Sequence, residues 1–271
     1  MTKRTIMISL PCRVLDYCIY VEFDDSELYL NLVLLYGKYV HRFIHTERRI
    51  LNIFVKKTEN NSYLIQYDTY SIITKNLLTE LKNIFSLNAG YCNDVIALHG
   101  AAVAYNSQAY IFLSATTKGK STLTSFLTSE GLAYITDDCV LIEEKTLKVV
   151  PFNTPIHLRA GGKGILERRG FLFDGQCVFT SEMDRYVYIP NNMIDTKLPV
   201  AKIFFSSFGQ ENVIEDISHQ ESFLKMLYSP ITEYKINLDY IKKISTLSQI
   251  PSYNITYSDM DFVKKCIRQC K

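Results

Sequence analysis

The chain has 271 residues, of which 47% are apolar and 21% are charged, and its formal net charge is +2. These values are typical of a globular protein with a sizeable core, and they exclude a general electrostatic attraction to nucleic acid or to an anionic membrane. The seven cysteines contain no CxxC pair, so zinc and thioredoxin-type motifs are not favoured. No apolar stretch is long enough for a membrane helix or a signal peptide, and we expect a cytoplasmic protein.

The first 90 residues are rich in β-branched and aromatic residues with strand-like alternation. The pattern predicts strands at 18–23, 50–55 and 62–67. From 71 to 87 the apolar residues follow a helical period, and Gly90 ends that segment. Residues 1–90 are therefore expected to form a small α+β region with one helix, a candidate substrate-recognition domain.

The sequence pattern changes at about residue 91, where compact apolar runs alternate with loops. The elements predicted here, in chain order, are a buried strand at 95–104, a hairpin connection at 106–108, a strand at 110–113, a helix at 120–130 ended by Gly131, a strand at 132–136, a loop at 161–164, a strand at 201–205, and helices at 219–228 and 258–268. Residues 91–271 are expected to form the second, larger domain.

The segment from Ser114 to Ser121 matches the Walker A pattern, Gly-x4-Gly-Lys-Ser/Thr, except that Ser114 replaces the first glycine. In such a loop backbone N–H groups surround the phosphates, the lysine contacts phosphate oxygens, and the hydroxyl reaches Mg²⁺. The sequence therefore predicts ATP and Mg²⁺ as ligands. The expected nucleotide contacts are Ser114, Thr116, Thr117, Lys118, Gly119, Lys120, Ser121 and Thr122.

Asp137 and Asp138 follow the next predicted strand, where a Walker B acid belongs. Adjacent residues of an extended backbone face opposite ways, so one carboxylate can reach the Mg²⁺ shell while the other faces an acceptor hydroxyl. The alternative is an exposed acidic turn or a helix cap. His99 lies within an apolar run, where a histidine taken alone is more often a core residue.

Together these residues give the segment 98–142 a family resemblance. The run from Leu98-His99-Gly100 through the loop to Asp137-Asp138 resembles the HPr kinase/phosphorylase family and its relatives in the phosphoenolpyruvate-carboxykinase-like fold. His99 precedes Lys120 by 21 residues and Lys120 precedes Asp137 by 17, which is similar to the family's spacing. The resemblance implies an α/β fold with a P-loop core and a mixed sheet, preceded by the α+β N-terminal region.

The resemblance also implies roles for individual residues. Asp137 would be the general base on the acceptor hydroxyl, Asp138 and Ser121 would hold Mg²⁺, and Lys120 would hold the transferring phosphate. His99 would lie near the γ-phosphate or the metal. The roles of the two aspartates could be exchanged, because neighbouring carboxylates titrate together.

A second segment, Glu167-Arg168-Arg169-Gly170, resembles the Glu-x-Arg-Gly loop of HPr kinases, which makes Glu167 and Arg169 candidate catalytic residues. A solvated charged turn is the alternative. Arg159 is a competing candidate for a phosphate contact.

The sequence differs from the family in the loop and in the N-terminal region. Ser114 and Thr117 replace common glycines, and the first 90 residues do not resemble the HPr kinase N-terminal domain. The chain therefore resembles a divergent relative, like the kinases of ribosomal peptides such as lasso-peptide precursors. We expect an ATP-dependent kinase acting on Ser or Thr of a protein or precursor peptide. A small-molecule kinase and a nucleotide-binding regulatory protein are the alternatives, and the oligomeric state, a homo-oligomer included, stays open, as does a reverse phosphorylase reaction.

Overall fold

The computed structural model describes residues 4–9, 18–23, 26–41, 50–58, 60, 62–90, 94–114, 119–173, 176–180, 185–231 and 237–269. Within these ranges the chain is a mixed α/β protein with three sheets and seven α-helices. The predicted phosphate contacts Thr116, Thr117 and Lys118 lie outside the described residues. None of the described helices is both long and apolar enough to cross a membrane.

The first sheet contains the strand-rich N-terminal region. Its described elements are β1 (Arg4–Ser9), β2 (Cys18–Phe23), α1 (Ser26–Tyr36), β3 (Val40–His41), β4 (Ile50–Lys57), β5 (Tyr63–Tyr67), β6 (Tyr70–Thr74) and α2 (Leu77–Gly90). The strand order is β3-β1-β2-β4-β5-β6. The three predicted strands are confirmed, whereas α1 was not predicted.

The predicted helix at 71–87 is wrong at its beginning. Ile72 and Ile73 belong to β6, which pairs with β5 across a tight turn in which Asp68 has φ +46°. These β-branched residues fit a strand better than a helix, and their pairing with β5 in a hairpin holds them in the strand β6. The helix α2 begins only at Leu77.

The second sheet is mixed, as predicted, and holds nine of the described strands. Its elements and the helices on it are β7 (Val95–Leu98), β8 (Gly100–Tyr105), β9 (Gln108–Leu113), α3 (Lys120–Ser129), β10 (Ala133–Thr136), β11 (Val140–Glu143), β12 (Lys148–Val150), β16 (Leu198–Phe208), β17 (Val213–Asp216), α5 (His219–Leu227), α6 (Leu238–Leu247), β18 (Ser252–Tyr257) and α7 (Met260–Gln269). β16 runs parallel to β9 and β18, and the other described pairs are antiparallel. The predictions for β9, α3, β10, β16, α5 and α7 are confirmed, while α6 was not predicted.

The apolar run at 95–104 forms two strands rather than the single predicted one. β7 pairs with β11, whereas β8 pairs with β9 and β10, and the chain changes partners at His99. The His99 backbone N–H donates to the Ser229 carbonyl at 2.7 Å, so the break is held by a third segment. A strand's pairing partners are set by segments distant in sequence. The continuous apolar run therefore gave no sign that it is divided into two strands.

A third, smaller sheet packs beside the second, and one helix follows its first strand. It consists of β13 (Ile156–Arg159), β14 (Gln176–Thr180) and β15 (Arg185–Ile189), in the order β13-β15-β14, and α4 (Ala160–Arg168) follows β13. The loop predicted at 161–164 is therefore wrong, because these residues belong to α4. A Cβ on Gly162 would collide with the Thr122 side chain, so the glycine allows α4 to pack closely against α3.

One hydrophobic cluster connects the first sheet to the second. It joins Leu81 and Phe85 of α2 with Ala97, Leu141 and residues further along the chain. Burial of these side chains fixes α2 against the second sheet. The domain boundary near residue 90 stays a prediction, and α2 is the element that borders the site described next.

Candidate active site

The topology brings three chain segments to one edge of the second sheet. Because β8 is antiparallel to both β9 and β10, the carboxyl ends of β9 and β10 lie at the edge where β8 begins. Ser114 follows β9, Asp137 follows β10, and His99 precedes β8. These residues, far apart in sequence, therefore converge at the same edge.

A cleft of about 760 Å³ opens at this edge, between α2, the beginning of α3, and the β13–α4 connection. Its size is within the range typical of small-molecule and cofactor sites. The described side chains that line it and matter below are Thr79, Lys82, His99, Lys120, Ser121, Asp138, His157, Arg159 and Arg185.

The beginning of α3 is built to face an anion. Gly119 precedes the helix with φ +86°, a conformation that favours glycine, and no side chain of the described residues caps the helix there. The first N–H groups of an uncapped helix are available to a ligand. The buried Lys120 ammonium donates to the Ser114 carbonyl at 2.9 Å and lies 3.2 Å from His99 Nε2.

The two aspartates occupy different environments. Asp137 is fully buried, and its Oδ2 accepts a hydrogen bond of 2.9 Å from the Ser121 hydroxyl. Its Oδ1 is buried and has no hydrogen-bond partner among the described residues. Asp138 has φ +72°, and its side chain is 38% exposed and lines the cleft. The left-handed backbone at Asp138 thus turns the second carboxylate outward while the first stays in the core.

The most important residue that sequence reasoning missed is Lys82. Its ammonium donates to Asp138 Oδ2 at 2.5 Å and lies 3.5 Å from Asp137 Oδ2, and its side chain is only 3% exposed. One signal was present in the sequence: Thr79, Lys82, Asn83 and Ser86 form a polar stripe at helical spacing beside the apolar stripe of α2. All four line the cleft.

The buried charges shift one another's pKa values. Burial and the Asp138 charge raise the pKa of Asp137 to about 6. Burial acts in the same direction on Asp138, but Lys82 outweighs it and holds the pKa of Asp138 below its usual range. Burial lowers the pKa of Lys120, and burial together with the Lys120 charge lowers the pKa of His99. The pair of carboxylates is thus split into one that holds its proton more tightly and one that stays ionised.

The partners of His99 define its tautomer. Nδ1 lies 3.1 Å from the Asp138 carbonyl oxygen, which can only accept, and Nε2 lies 3.2 Å from the Lys120 ammonium, which donates. A neutral imidazole satisfies both contacts when its proton is on Nδ1. His99 therefore connects the backbone of the acid pair to the lysine of the loop and orients that lysine.

The donor set fits Mg²⁺ accompanied by phosphate. Ser121 and the two carboxylates offer oxygens, which are the ligands that Mg²⁺ prefers. Among the described residues no donor reaches the buried Oδ1 of Asp137. Within the described ranges no three His, Cys, Asp or Glu side chains cluster to hold a metal alone. Mg²⁺ commonly completes its coordination with water and substrate phosphates, so the residues fit a metal that arrives with a nucleotide.

No protein-family model matches the chain, and no curated protein sequence matches it. Among solved structures, the Hpr(Ser) kinase/phosphatase from Coxiella burnetii is similar to it with a TM-score of 0.33 and 8% sequence identity, over 64% of this chain and 88% of that chain. A similarity of this size transfers neither a fold nor an activity. What the site can do chemically is decided by its own geometry.

Most of the residues predicted from the sequence come together in this site. His99, Lys120, Ser121 and Asp137 form one contact network with Asp138. Gly119, Thr122 and Arg159 line the cleft. Ser114 contributes its backbone carbonyl, which accepts from Lys120.

Glu167 and Arg169 are not brought into the cleft. Glu167 forms an ion pair with Lys163 one turn earlier on the exposed side of α4. Arg169 pairs with Asp259 at 2.5 Å and Asp261 at 3.0 Å, which ties the end of α4 to the beginning of α7. These contacts place Glu167 at the exposed end of α4 and Arg169 in ion pairs with α7, and a catalytic role for this segment stays a prediction.

Proposed function

We propose that this chain is a phosphotransferase that binds ATP with Mg²⁺ in the cleft and transfers the γ-phosphate to a hydroxyl of a peptide or protein. The observation that carries the proposal is the meeting of Lys120 and Ser121, at the uncapped beginning of α3, with the Asp137–Asp138 pair. Cations, an uncapped helix end and ionised carboxylates around one cleft are the parts that phosphoryl transfer requires.

On this proposal Lys120 and the first N–H groups of α3 contact the phosphates. Ser121 would bind Mg²⁺ through its hydroxyl oxygen, and the buried Asp137 would orient that hydroxyl by accepting its 2.9 Å hydrogen bond. When bound, Mg²⁺ would neutralise the charge that develops on the phosphate oxygens. His99 keeps Lys120 oriented through its 3.2 Å contact.

On this proposal Asp137 acts through Ser121, and Asp138 takes the role of general base that the resemblance implies for Asp137. A pKa of about 6 would suit Asp137 as a general base, but its side chain is fully buried and does not reach a hydroxyl in the cleft. Asp138 is exposed to the cleft and therefore faces the acceptor. As the acceptor oxygen bonds to the γ-phosphorus and the bond to the β–γ bridging oxygen breaks, ADP leaves and the hydroxyl proton passes to the Asp138 carboxylate.

A peptide or protein acceptor is favoured by the N-terminal sheet. Within the described residues β6 is an edge strand, and Tyr70 and Ile73 on it are exposed. An edge strand can pair with an extended peptide, and exposed apolar side chains add contacts to such a peptide. A closed pocket would instead favour a small metabolite.

The test combines binding with transfer. Isothermal titration calorimetry measures Mg-ATP binding, and mass spectrometry measures phosphate gain by Ser- and Thr-containing peptides. Asp138→Asn is expected to retain Mg-ATP binding and to lose transfer, whereas Asp137→Asn is expected to weaken Mg²⁺-dependent binding as well. The control Asp216→Asn changes an exposed acid of β17 and is expected to behave as wild type. Failure to bind Mg-ATP contradicts the proposal, and binding without transfer to any acceptor supports a regulatory protein instead.

A further inference from the structure

One wall of the cleft carries two arginines at directly opposed positions. Arg159 of β13 and Arg185 of β15 are partners in the antiparallel register, and both line the cleft. Like charges directly opposite each other in an antiparallel pair destabilise a sheet. Two arginines in this arrangement are stabilised when an anion lies between or above them.

The charges of the cleft are also out of balance. Among the described lining residues the cations are Lys82, Lys120, Arg159 and Arg185, whereas Asp138 is the single acid and is already paired with Lys82. Arg159 is exposed and forms no ion pair within the described part of the chain, while Arg185 donates to the Thr79 hydroxyl at 3.4 Å. The positive charge of this wall is therefore least neutralised at Arg159.

Two neighbouring features add hydrogen-bond donors or acceptors. The helix α4 begins directly after Arg159 without a side-chain cap, and Gly161 and Gly162 of its first turn line the cleft. His157 is 7% exposed, and its Nε2 has no partner among the described residues. This part of the cleft resembles an oxyanion site, because it combines a helix end, two guanidinium groups and the Nε2 of His157.

Hydrogen-bond geometry connects this wall to α2. Arg185 donates to the Thr79 hydroxyl at 3.4 Å, and the same hydroxyl lies 3.4 Å from His157 Nδ1. Thr79 lies one helical turn before Lys82, whose ammonium donates to Asp138. The wall is therefore connected to Asp138 through α2.

We propose that Arg159 and Arg185 form a carboxylate subsite, which binds the acidic side chains of an acceptor peptide beside Asp138. The inference rests on the proposed function, since Lys120, the α3 end and Mg²⁺ already neutralise the nucleotide phosphates. Arg159 and Arg185 line the same cleft as Asp138, and guanidinium groups bind carboxylates with paired, charge-assisted hydrogen bonds. The preferred acceptor is thus a Ser or Thr flanked by Glu or Asp.

The experiment measures fluorescence anisotropy of labelled Ser-containing peptides with the full chain, Mg²⁺ and a non-hydrolysable ATP analogue. Three probes differ only in the residues flanking the Ser, which are Glu, Gln or Lys. Wild type is expected to bind the Glu probe about tenfold more tightly than the Gln probe, as a charged hydrogen-bonded pair provides. Arg159→Gln is expected to remove that preference. The matched control Arg168→Gln removes the same charge from the exposed end of α4 and is expected to keep it.

Several outcomes overturn the inference. Equal affinity of wild type for the Glu and Gln probes does so, and so does an equal loss in Arg159→Gln and Arg168→Gln, which would indicate only long-range charge. If Arg159→Gln weakens binding of the ATP analogue and leaves the probe preference intact, the arginines serve the nucleotide. The charge reversal Arg159→Glu is expected to shift preference to the Lys probe. Because peptide binding is read without turnover, absence of phosphate transfer contradicts the proposed function while the anisotropy data still decide the subsite.

Discussion

Replacing Lys82 tests how the acid pair is kept ionised in the core. Lys82→Met retains most of the side-chain volume and removes the charge that contacts Asp138 at 2.5 Å and Asp137 at 3.5 Å. After the change the two carboxylates have Lys120 as the remaining neighbouring cation. The pKa of Asp137 is then expected to rise further above about 6, because the charge that opposes its burial is gone.

The magnitude follows from the burial of each partner. Breaking a buried pair by removing one charge costs about 3–5 kcal/mol, because the other charge stays buried without compensation. The full range applies to Asp137, which is 0% exposed, whereas the Asp138 side chain is 38% exposed and solvent screens its share. Proton uptake by Asp137 also relieves part of the cost. We expect Lys82→Met to lose about 2–4 kcal/mol of unfolding free energy near neutral pH.

Urea denaturation followed by circular dichroism measures this loss. The double variant Lys82→Met/Asp137→Asn is expected to be more stable than Lys82→Met alone, because the uncompensated carboxylate is removed as well. The control Lys225→Met removes a lysine of a half-exposed pair with Glu221 and is expected to cost less than about 1 kcal/mol. A cost of Lys82→Met no larger than that of the control would contradict a buried charge pair, and so would a double variant that is less stable than Lys82→Met.

Three further predictions concern single positions. Because the pKa of Asp137 is raised from 3.8 to about 6, the folded state holds this proton more tightly than the unfolded state, so its contribution to stability falls by about 3 kcal/mol in total as the pH rises from well below 3.8 to well above about 6. The free-energy difference between wild type and Asp137→Asn is expected to show that fall, and a rise over the same pH range would contradict it. Gly119→Ala places a Cβ at φ +86° and is expected to cost about 1–2 kcal/mol in thermal or urea unfolding, whereas a gain in stability would show that no strain exists. Lys120→Ala is expected to raise the Kd for Mg-ATP by about tenfold or more in calorimetry, and an unchanged Kd would remove this lysine from the phosphate site.

The parts of the site that could be predicted from the sequence are those set by local pattern. The strand before the loop, α3 after it, and the strand leading to Asp137 and Asp138 all follow from apolar periodicity and from Gly131, whose φ of +90° ends the helix region. The family resemblance carried by His99, Lys120 and the acid pair then implied one site. The structure places these residues in contact because β8 is antiparallel to both of its neighbours.

The parts that could not be predicted depend on contacts distant in sequence. Lys82 reaches the acid pair only because α2 packs against the second sheet, and the sequence shows only its place at the border of an apolar stripe. The glycines at 161–164 predicted a loop, but close packing of Gly162 against Thr122 favours α4 over the intrinsic preference of glycine. The opposed pair Arg159 and Arg185 arises from the β13–β15 register, which no local pattern specifies.

The most direct measurement of the central claim is phosphate transfer by the purified chain with ATP and Mg²⁺, read by intact-mass and fragment spectrometry on Ser- and Thr-containing peptides. We expect the gain of one phosphate on a hydroxyl residue, abolished in Asp138→Asn and retained in Asp216→Asn. Transfer that persists in Asp138→Asn would contradict the assignment of the acceptor-facing carboxylate. Absence of transfer to every peptide, with no Mg-ATP bound in calorimetry, would contradict the phosphotransferase itself.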